Sequence, residues 1–250
     1  MRNYRFTISY DGTRYYGWEH QPTTEMTIQG KLEAVLSRMV SKEIEVLGAG
    51  RTDAGVHAKA MTAHARFDTE LSENEIRDYM NRYLPDDICV VKVAVASDRF
   101  HSRYNATGKT YRYVCYIGET KPVFDRKYVY TLEREDARKL DIEAMKRAAG
   151  HLIGEKDFAS FCSNPRMKKS TVRNVDKIDI KKDGDYLYMT YHGSGFLQHM
   201  VRILTGTILE VGLGKRSADS ILQLIEAKDR KQAGFTAPAQ GLTMIEVDYH

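Results

Sequence analysis

The stretch of the chain that carries most information is Gly48-Ala49-Gly50-Arg51-Thr52-Asp53-Ala54-Gly55-Val56-His57. Glycines cluster where backbone must bend sharply or let a ligand come close, although a Gly- and Asp-rich segment is also typical of an ordinary turn. A dinucleotide-binding Gly-x-Gly-x-x-Gly turn would need a third glycine where Asp53 stands, and a P-loop would need Lys-Ser/Thr where Val56-His57 stand. The loop is therefore built around Arg51 and Asp53 rather than around a bound phosphate.

Asp53 is the group in this loop that offers chemistry. A nearby positive charge favours the ionised form of a carboxyl group, and Arg51 stands two positions away. A rigidly held carboxylate serves as a nucleophile, a general base or a metal ligand, and the loop alone leaves all three open. The histidines that could be imagined as zinc ligands have a spacing that fits no standard zinc pattern: His57, His64 and His101. We therefore expect no metal.

Composition places the chain among ordinary globular proteins. It has 250 residues, of which 42% are hydrophobic and 29% charged. No run approaches the roughly 20 apolar residues that cross a bilayer, and the N-terminus lacks the apolar core of a signal peptide. The cysteines are far apart, which suits reduced structural thiols: Cys89, Cys115 and Cys162. These features predict a cytoplasmic protein with no membrane association.

The first half of the chain has a β-α-β-β-α-β pattern. Alternation and helical spacing predict these elements: strand Arg2–Tyr10, helix Thr27–Met39, strand Ile44–Leu47, strand Thr62–Phe67, a helix capped at Ser72 and stopped by Pro85, and strand Ile88–Val95. The catalytic-loop candidate lies between the second and third strands. This half is predicted to span residues 1–105 as an N-terminal α/β unit that carries the Asp53 loop.

The second half, residues 106–250, repeats the pattern. Its predicted elements are strand Thr110–Ile117, a helix Asp141–Leu152 with Asp141 as N-cap, a hairpin of Val175–Ile180 and Tyr186–His192 around Asp183-Gly184, helices Phe196–Val211 and Ser217–Ala227, and strand Leu242–Tyr249. The fold predicted is α+β, with two ferredoxin-like halves whose antiparallel sheets lie side by side. A cleft between two sheets is a favoured place for a site.

Basic residues are clustered although the net charge is only +4. One cluster spans 99–112 and is interleaved with Tyr104, Tyr111 and Tyr113, and another surrounds Pro165. Cations mixed with aromatic rings favour a polyanion with stackable bases, although a solvated charged face gives the same pattern. The candidate RNA contacts are Arg103, Lys109, Arg166, Lys168, Lys169 and Arg173.

The segment 50–57 resembles the signature of the tRNA pseudouridine synthase A family. Further family landmarks occur in the right order along the whole chain: Tyr10-Asp11-Gly12, Tyr16-Gly17-Trp18, Phe100-His101-Ser102-Arg103, Tyr111-Arg112-Tyr113, Asp157–Phe161 and His199–Arg202. The chain departs from the family pattern at Glu19-His20, at Gly108-Lys109-Thr110 and at Gln198. The departures bear on RNA contacts rather than on the reaction.

The resemblance implies an isomerase, an intramolecular transferase that converts uridine to pseudouridine in the anticodon stem-loop of tRNA at positions 38–40. It implies the pseudouridine synthase fold, no metal, and no nucleotide or other cofactor. Asp53 matches the family's nucleophile on a flipped-out uridine. Whether the carboxylate attacks C1′, attacks C6 or acts through a glycal stays open.

The resemblance also assigns substrate-binding roles and a partner. Tyr111 matches a substrate-contacting tyrosine, Arg51 is placed to keep Asp53 ionised, and Arg202 matches an arginine near the site whose partner could be Asp53. A homodimer with tRNA laid across both subunits is implied. The alternatives are a non-catalytic RNA-binding protein of the same fold, and a nucleosidase-like hydrolase, which would need a second acid that the motif lacks.

Overall fold

The computed structural model describes residues 1–164, 167 and 169–250. These residues form a mixed α+β fold, as predicted, and they divide into two compact units. The first unit comprises Met1–Thr107 and Thr243–His250, and the second comprises Gly108–Leu242. The functional halves 1–105 and 106–250 stay a prediction. The compact units differ from them in the last strand, which pairs with a strand of the first unit.

The first unit is an antiparallel sheet with two helices. Its elements are β1 (Arg2–Tyr10), α1 (Ile28–Val40), β2 (Leu47–Gly48), β3 (His57–Phe67), α2 (Glu73–Tyr83), β4 (Ile88–Ala96) and β10 (Leu242–Asp248). The strand β1 lies between β4 and β3. The short β2 pairs antiparallel with the C-terminal part of β3, and β10 pairs parallel with its N-terminal end. The order β4-β1-β3-β2 is the ferredoxin-like arrangement predicted for this half.

The sequence explains these elements locally. Along β1, Tyr4, Phe6 and Ile8 are each 1% exposed, while the residues between them point towards solvent. The helix α1 begins after Thr27, whose side chain accepts a hydrogen bond from the Gly30 amide. A capping box formed by Ser72 and Glu75 starts α2, as predicted.

The second unit has its own set of antiparallel strand pairs. Its elements are β5 (Gly108–Tyr116), β6 (Tyr130–Thr131), α3 (Arg134–Lys139), α4 (Ile142–His151), β7 (Gly154–Asp157), β8 (Val172–Asp183), β9 (Tyr186–Gly193), α5 (Met200–Gly212) and α6 (Ser220–Ala227). The strands run in the order β5-β9-β8-β7, and β6 pairs with β5. The predicted hairpin forms between β8 and β9, where Gly184 has the positive φ of 57° that its turn requires.

Several boundaries differ from the sequence prediction; β2 is Leu47–Gly48 instead of Ile44–Leu47, and α6 begins at Ser220 instead of Ser217. The strand β3 begins at His57 instead of Thr62, so the glycine-rich motif leads directly into it. The helix α5 begins at Met200 instead of Phe196, because His199 has a left-handed backbone with φ 59°. The short elements β6, α3 and β7 were not predicted, since pieces this short show no clear periodicity. Within the described ranges, no helix is both long and apolar enough to cross a membrane.

Candidate active site

Asp53 lies in the loop that joins β2 to β3. The loop is anchored at its start by the Ala49 amide, which donates to the Thr62 carbonyl of β3 at 2.8 Å. It turns through Asp53 itself, whose carbonyl accepts from the Val56 amide at 3.1 Å, and through Gly55, which has φ 78°. The backbone that carries the Asp53 carboxylate is thus held in a closed turn.

The segment between β1 and α1 fastens the loop from the other side. The Trp18 amide donates to the Thr52 carbonyl at 3.0 Å, and the Gly55 amide donates to the Tyr15 carbonyl at 3.3 Å. The hydroxyls of Tyr10 and Thr52 are hydrogen-bonded at 2.7 Å in the buried interior. Both ends of the stretch from Thr52 to Gly55 are thus hydrogen-bonded to a segment more than thirty positions earlier in the chain.

Glycines let this segment approach so closely. Gly17 has φ 96°, and a Cβ at that position would lie 2.7 Å from the Thr52 carbonyl oxygen and 3.2 Å from the carbonyl carbon of Asp53. A Cβ on Gly12 would overlap the Val56 carbonyl oxygen. The backbone of the Asp53 loop therefore packs directly against the backbone of Gly12 and Gly17, where any side chain would prevent the contact.

His57, the last residue of the motif, joins the start of β3 to the end of β1. Its Nδ1 accepts a hydrogen bond from the Gly12 amide at 3.0 Å and lies 3.2 Å from the Asp11 carboxylate. The same Asp11 oxygen accepts from the Thr13 amide at 2.9 Å. The candidate zinc set of His57, His64 and His101 does not form, and no group of three metal-ligating side chains occurs among the residues that the structure describes.

Arg51 forms an ion pair with Glu19, at 2.6 Å between Nη2 and Oε1. Both side chains are largely exposed, at 60% and 49%. An exposed pair of this kind contributes at most about 1 kcal/mol, so the guanidinium can exchange this partner for another anion at little cost. That Arg51 keeps Asp53 ionised stays a prediction.

Tyr111 lies half-buried on β5 of the second unit. It is opposite Tyr191 of β9, and its ring meets Phe196 edge-on at a centroid distance of 5.4 Å. Tyr113 is on the same face of β5, fully buried, and donates to the Pro238 carbonyl at 2.8 Å. Burial raises the pKa of the Tyr113 phenol far above its ordinary value, so it stays protonated.

Arg202 is on the first turn of α5, close enough to Tyr113 to lower that residue's pKa slightly against the effect of burial. Its Nε donates to the Ala237 carbonyl at 2.7 Å, and the Ala237 amide donates back to the Arg202 carbonyl at 3.1 Å. The segment before β10 thus holds the arginine in place. A partnership with Asp53 stays a prediction, as does the role of Tyr111.

The predicted RNA contacts differ in exposure. Arg103 and Lys169 are exposed, whereas Lys109 and Arg173 are partly buried. The Arg173 guanidinium donates to the carbonyls of Ser170 and Val172, and partial burial lowers its pKa. Arg166 and Lys168 lie outside the described residues. Their contacts with RNA remain predictions.

Sequence reasoning missed the residues that hold the loop. Tyr10, Gly12, Gly17 and Trp18 were noted as landmarks without a role, because pairing between distant segments leaves no mark in local periodicity. The one available signal was the pair of glycine-containing motifs immediately after a strand.

Comparison with known proteins decides the family. The sequence model of the family described as tRNA pseudouridine synthase matches residues 7–105 and 148–250. The chain belongs to this family. It is 42% identical over 249 residues to tRNA pseudouridine synthase A 2 of Bacillus cereus, and 43% identical over 249 residues to tRNA pseudouridine synthase A of a Bacillus species; both alignments cover 100% of each chain.

A solved structure of a Cbf5-Nop10-Gar1 complex is also similar, with 13% identity and a TM-score of 0.37 over 97% of this chain and 49% of the other. That likeness is too weak to support an argument. Membership of the tRNA pseudouridine synthase family, together with the α+β architecture, confirms the predicted pseudouridine synthase fold.

Proposed function

We propose that this chain isomerises uridine to pseudouridine in the anticodon stem-loop of tRNA, at positions 38–40. Asp53 is the nucleophile and acts on a flipped-out uridine. The observation that carries the proposal is the backbone of the Asp53 loop, which is clamped by backbone groups of Trp18 and Tyr15 and by the buried hydrogen bond between the Tyr10 and Thr52 hydroxyls. A loop fixed in this way supports a preorganised site, in which little backbone movement precedes attack.

The reaction breaks the bond between C1′ and N1 and forms one between C1′ and C5, while the C5 proton is lost to solvent and N1 gains one. Atoms and electrons balance without oxidation or net hydrolysis, so the chemistry calls for no cofactor. Asp53 can attack C1′, add to C6, or remove the 2′ proton on the way to a glycal. All three routes begin from the ionised carboxylate.

The remaining site residues receive roles from their surroundings. Tyr111 offers a half-buried ring on which an extruded uracil can stack, and its hydroxyl is suited to the C5 proton. Arg51 is held only by an exposed ion pair, which suits a residue that moves to a phosphate or to Asp53. Arg202 is held by Ala237 and supplies a fixed positive charge. Extrusion of a paired base costs about a few kcal/mol, which such contacts repay.

We also propose a cytoplasmic homodimer that binds tRNA across both subunits through Arg103, Lys109, Arg166, Lys168, Lys169 and Arg173. Two-fold dimers are the commonest oligomers, and two copies would combine the modest charge of each. Cys115 and Cys162 are buried free thiols, which suits a reducing compartment. Light scattering of the purified protein should give twice the mass of one chain, and a monomer at working concentration would refute the dimer.

Tritium release tests the reaction. Transfer RNA labelled with tritium at C5 of uridine is incubated with the wild-type chain and with Asp53→Ala. We expect release with the wild type alone, while both proteins bind tRNA. Binding without release would favour the non-catalytic RNA-binding alternative, and free uracil would indicate a hydrolase. A tRNA with cytidine at positions 38–40 should lose the release, and undiminished release would refute those target positions.

A further inference from the structure

An aromatic staircase runs from the interior of the first unit to its surface; we use this name for His64, His101 and Tyr104. His64 on β3 is 4% exposed, its ring centre is 4.6 Å from that of His101, and the His101 ring centre is 4.2 Å from that of Tyr104. Tyr104 is 75% exposed. The proposed reaction makes no use of this stack.

His64, at the buried end of the staircase, is held by a network of hydrogen bonds. His64 Nδ1 lies 2.9 Å from the Ser102 hydroxyl, and the Ser102 hydroxyl also donates to the Leu47 carbonyl at 2.6 Å. The Tyr249 hydroxyl donates to the Ser102 carbonyl at 2.5 Å. Burial lowers the pKa of His64 to about 4, so the ring is neutral at physiological pH.

The turn that carries His101 and Tyr104 is also held by hydrogen bonds. His101 Nδ1 accepts from the Arg103 amide at 3.1 Å and from the Tyr104 amide at 3.4 Å. The His101 amide donates to the Asn105 side chain at 2.6 Å, and the Asn105 amide donates to the His101 carbonyl at 3.1 Å. A large aromatic ring is thus presented to solvent on a backbone with few alternatives, which keeps the entropic cost of binding low.

Two arginines lie near His101, the ring next to Tyr104. Arg66 on β3 and Arg103 in the turn are both exposed, and their charges add to the effect of burial in lowering the pKa of His101. The Arg66 guanidinium donates to the Asp98 backbone carbonyl at 2.5 Å, which fixes its position. An exposed aromatic ring with guanidinium groups close to the ring beside it suits a nucleobase and its neighbouring phosphates.

We propose that the staircase is a stacking site for one unpaired base of the bound RNA, with Tyr104 against the base and Arg103 and Arg66 against neighbouring phosphates. This rests on the proposed function only in taking the RNA to be the tRNA substrate. Stacking on an aromatic ring is tolerant of base identity, because every base has a π-face. The site therefore contributes affinity rather than a choice of target.

Binding of an unmodified tRNA transcript to Tyr104 variants tests the proposal. Tyr104→Ala should raise the Kd by roughly 5- to 150-fold, the range of one lost base–aromatic stack, whereas Tyr104→Phe should stay within about twofold. Tyr104→Leu keeps apolar bulk without a π-face and should resemble the alanine variant. The matched control is Tyr83→Ala, which truncates a 41% exposed tyrosine of the same unit whose ring centre lies 4.7 Å from that of Tyr79, and which should bind normally.

The salt dependence separates stacking from charge. Tyr104→Ala should leave the slope of log K against log salt unchanged, whereas Arg103→Ala should reduce its magnitude by about 0.7–0.9 for one lost phosphate contact. The proposal is overturned if Tyr104→Ala binds within about twofold of the wild type, or if leucine serves as well as phenylalanine.

The two proposals fail separately. If the wild-type chain binds tRNA in a Tyr104-dependent way but forms no pseudouridine, the function falls and the stacking site stands. If it forms pseudouridine and Tyr104→Ala is unaffected in Kd, the stacking site falls alone. Because Tyr104 is 75% exposed, we expect an unchanged unfolding midpoint, and the leucine and phenylalanine variants decide the matter if the alanine variant is less stable.

Discussion

At the scale of single residues, the hydrogen bond between Tyr10 and Thr52 links the stability of the loop to its reactivity. Tyr10→Phe removes one hydroxyl from a buried 2.7 Å pair and leaves the Thr52 hydroxyl short of a partner, at a cost of about 1–2 kcal/mol in unfolding free energy. Since Thr52 precedes Asp53, we expect kcat to fall while KM for tRNA stays near the wild-type value. Steady-state tritium release and urea unfolding measure the two effects.

Tyr15→Phe is the matched control for this prediction. Its hydroxyl donates to the Asp87 carboxylate at 2.5 Å, away from the loop, and the backbone carbonyl that accepts from Gly55 is untouched. This variant should lose at least as much stability yet keep its kcat. An equal fall in kcat for both variants would show that general stability, rather than the loop, governs the rate.

The residue scale also shows what sequence reveals about the site. Asp53 could be proposed from the sequence because it stands in a glycine-rich motif at the position where a dinucleotide-binding turn would need a glycine. The sequence did not reveal that Tyr10, Gly17 and Trp18 contact the loop. These contacts join two segments that are distant in the chain and meet only in the folded structure. The ion pair between Arg51 and Glu19 was missed for the same reason, although Glu19 had been noted as unusual.

At the scale of elements, Gly17 lets the β1–α1 segment pack closely against the Asp53 loop. Gly17→Ala would place a Cβ 2.7 Å from the Thr52 carbonyl oxygen. It would also put an L-amino acid at a backbone φ of 96°, which L-amino acids rarely adopt. We expect a loss of more than about 2 kcal/mol in unfolding free energy, together with a lower kcat, because the loop must shift. Thermal unfolding and tritium release measure both.

Gly214→Ala is the control that measures the cost of a positive φ without a steric clash. Gly214 also has a positive φ, of 69°, but a Cβ there would meet nothing within 4 Å. It should cost about 1–2 kcal/mol and leave kcat unchanged. If Gly17→Ala were no worse than this control in either measurement, the close packing against the loop would be unimportant.

Elements with strong periodicity were predicted well, and short or irregular ones were not. The strand β1 and the capping box of α2 follow from alternation and from side-chain caps, which are local properties. The start of β3 at His57 depends on its parallel pairing with β10, nearly two hundred residues later, and so is invisible in local sequence. The six-residue α3 buries none of its side chains and has no apolar face to detect.

At the scale of the whole molecule, stability should depend on pH through a buried histidine. The pKa of His64 is lowered by burial from 6.5 to about 4, so the unfolded chain binds this proton more readily than the folded one. The stabilisation is complete above pH 6.5 and is lost as pH falls towards 4. Linkage gives a loss of about 2 kcal/mol in unfolding free energy between pH 7 and pH 5.

Urea unfolding at pH 7 and pH 5 measures this loss, to which His101 adds in the same direction because its pKa is also lowered, mainly by burial. The variant His64→Gln removes the titrating group and should show a much smaller difference between the two pH values. The same difference in both proteins would rule out His64 as the cause.

Binding of tRNA by the whole chain should weaken steeply with salt. The net charge of +4 is modest, but positive side chains are grouped along 99–112 and 166–173. Each phosphate contact releases counterions, so log K should fall linearly with log salt, with a slope of about 0.7–0.9 per contact. Affinity that is flat between 50 and 200 mM salt, a range of about fourfold, would exclude these clusters as the tRNA surface.

The central claim is that the ionised carboxylate of Asp53, held in its clamped loop, is the nucleophile. The most direct test is the single-turnover rate of tritium release by Asp53→Asn, which keeps the shape of the side chain and removes its charge. We predict a rate lower by at least about 10⁴-fold, with tRNA affinity and unfolding free energy unchanged. A rate within about tenfold of the wild type, from a folded variant that binds tRNA, would contradict the account.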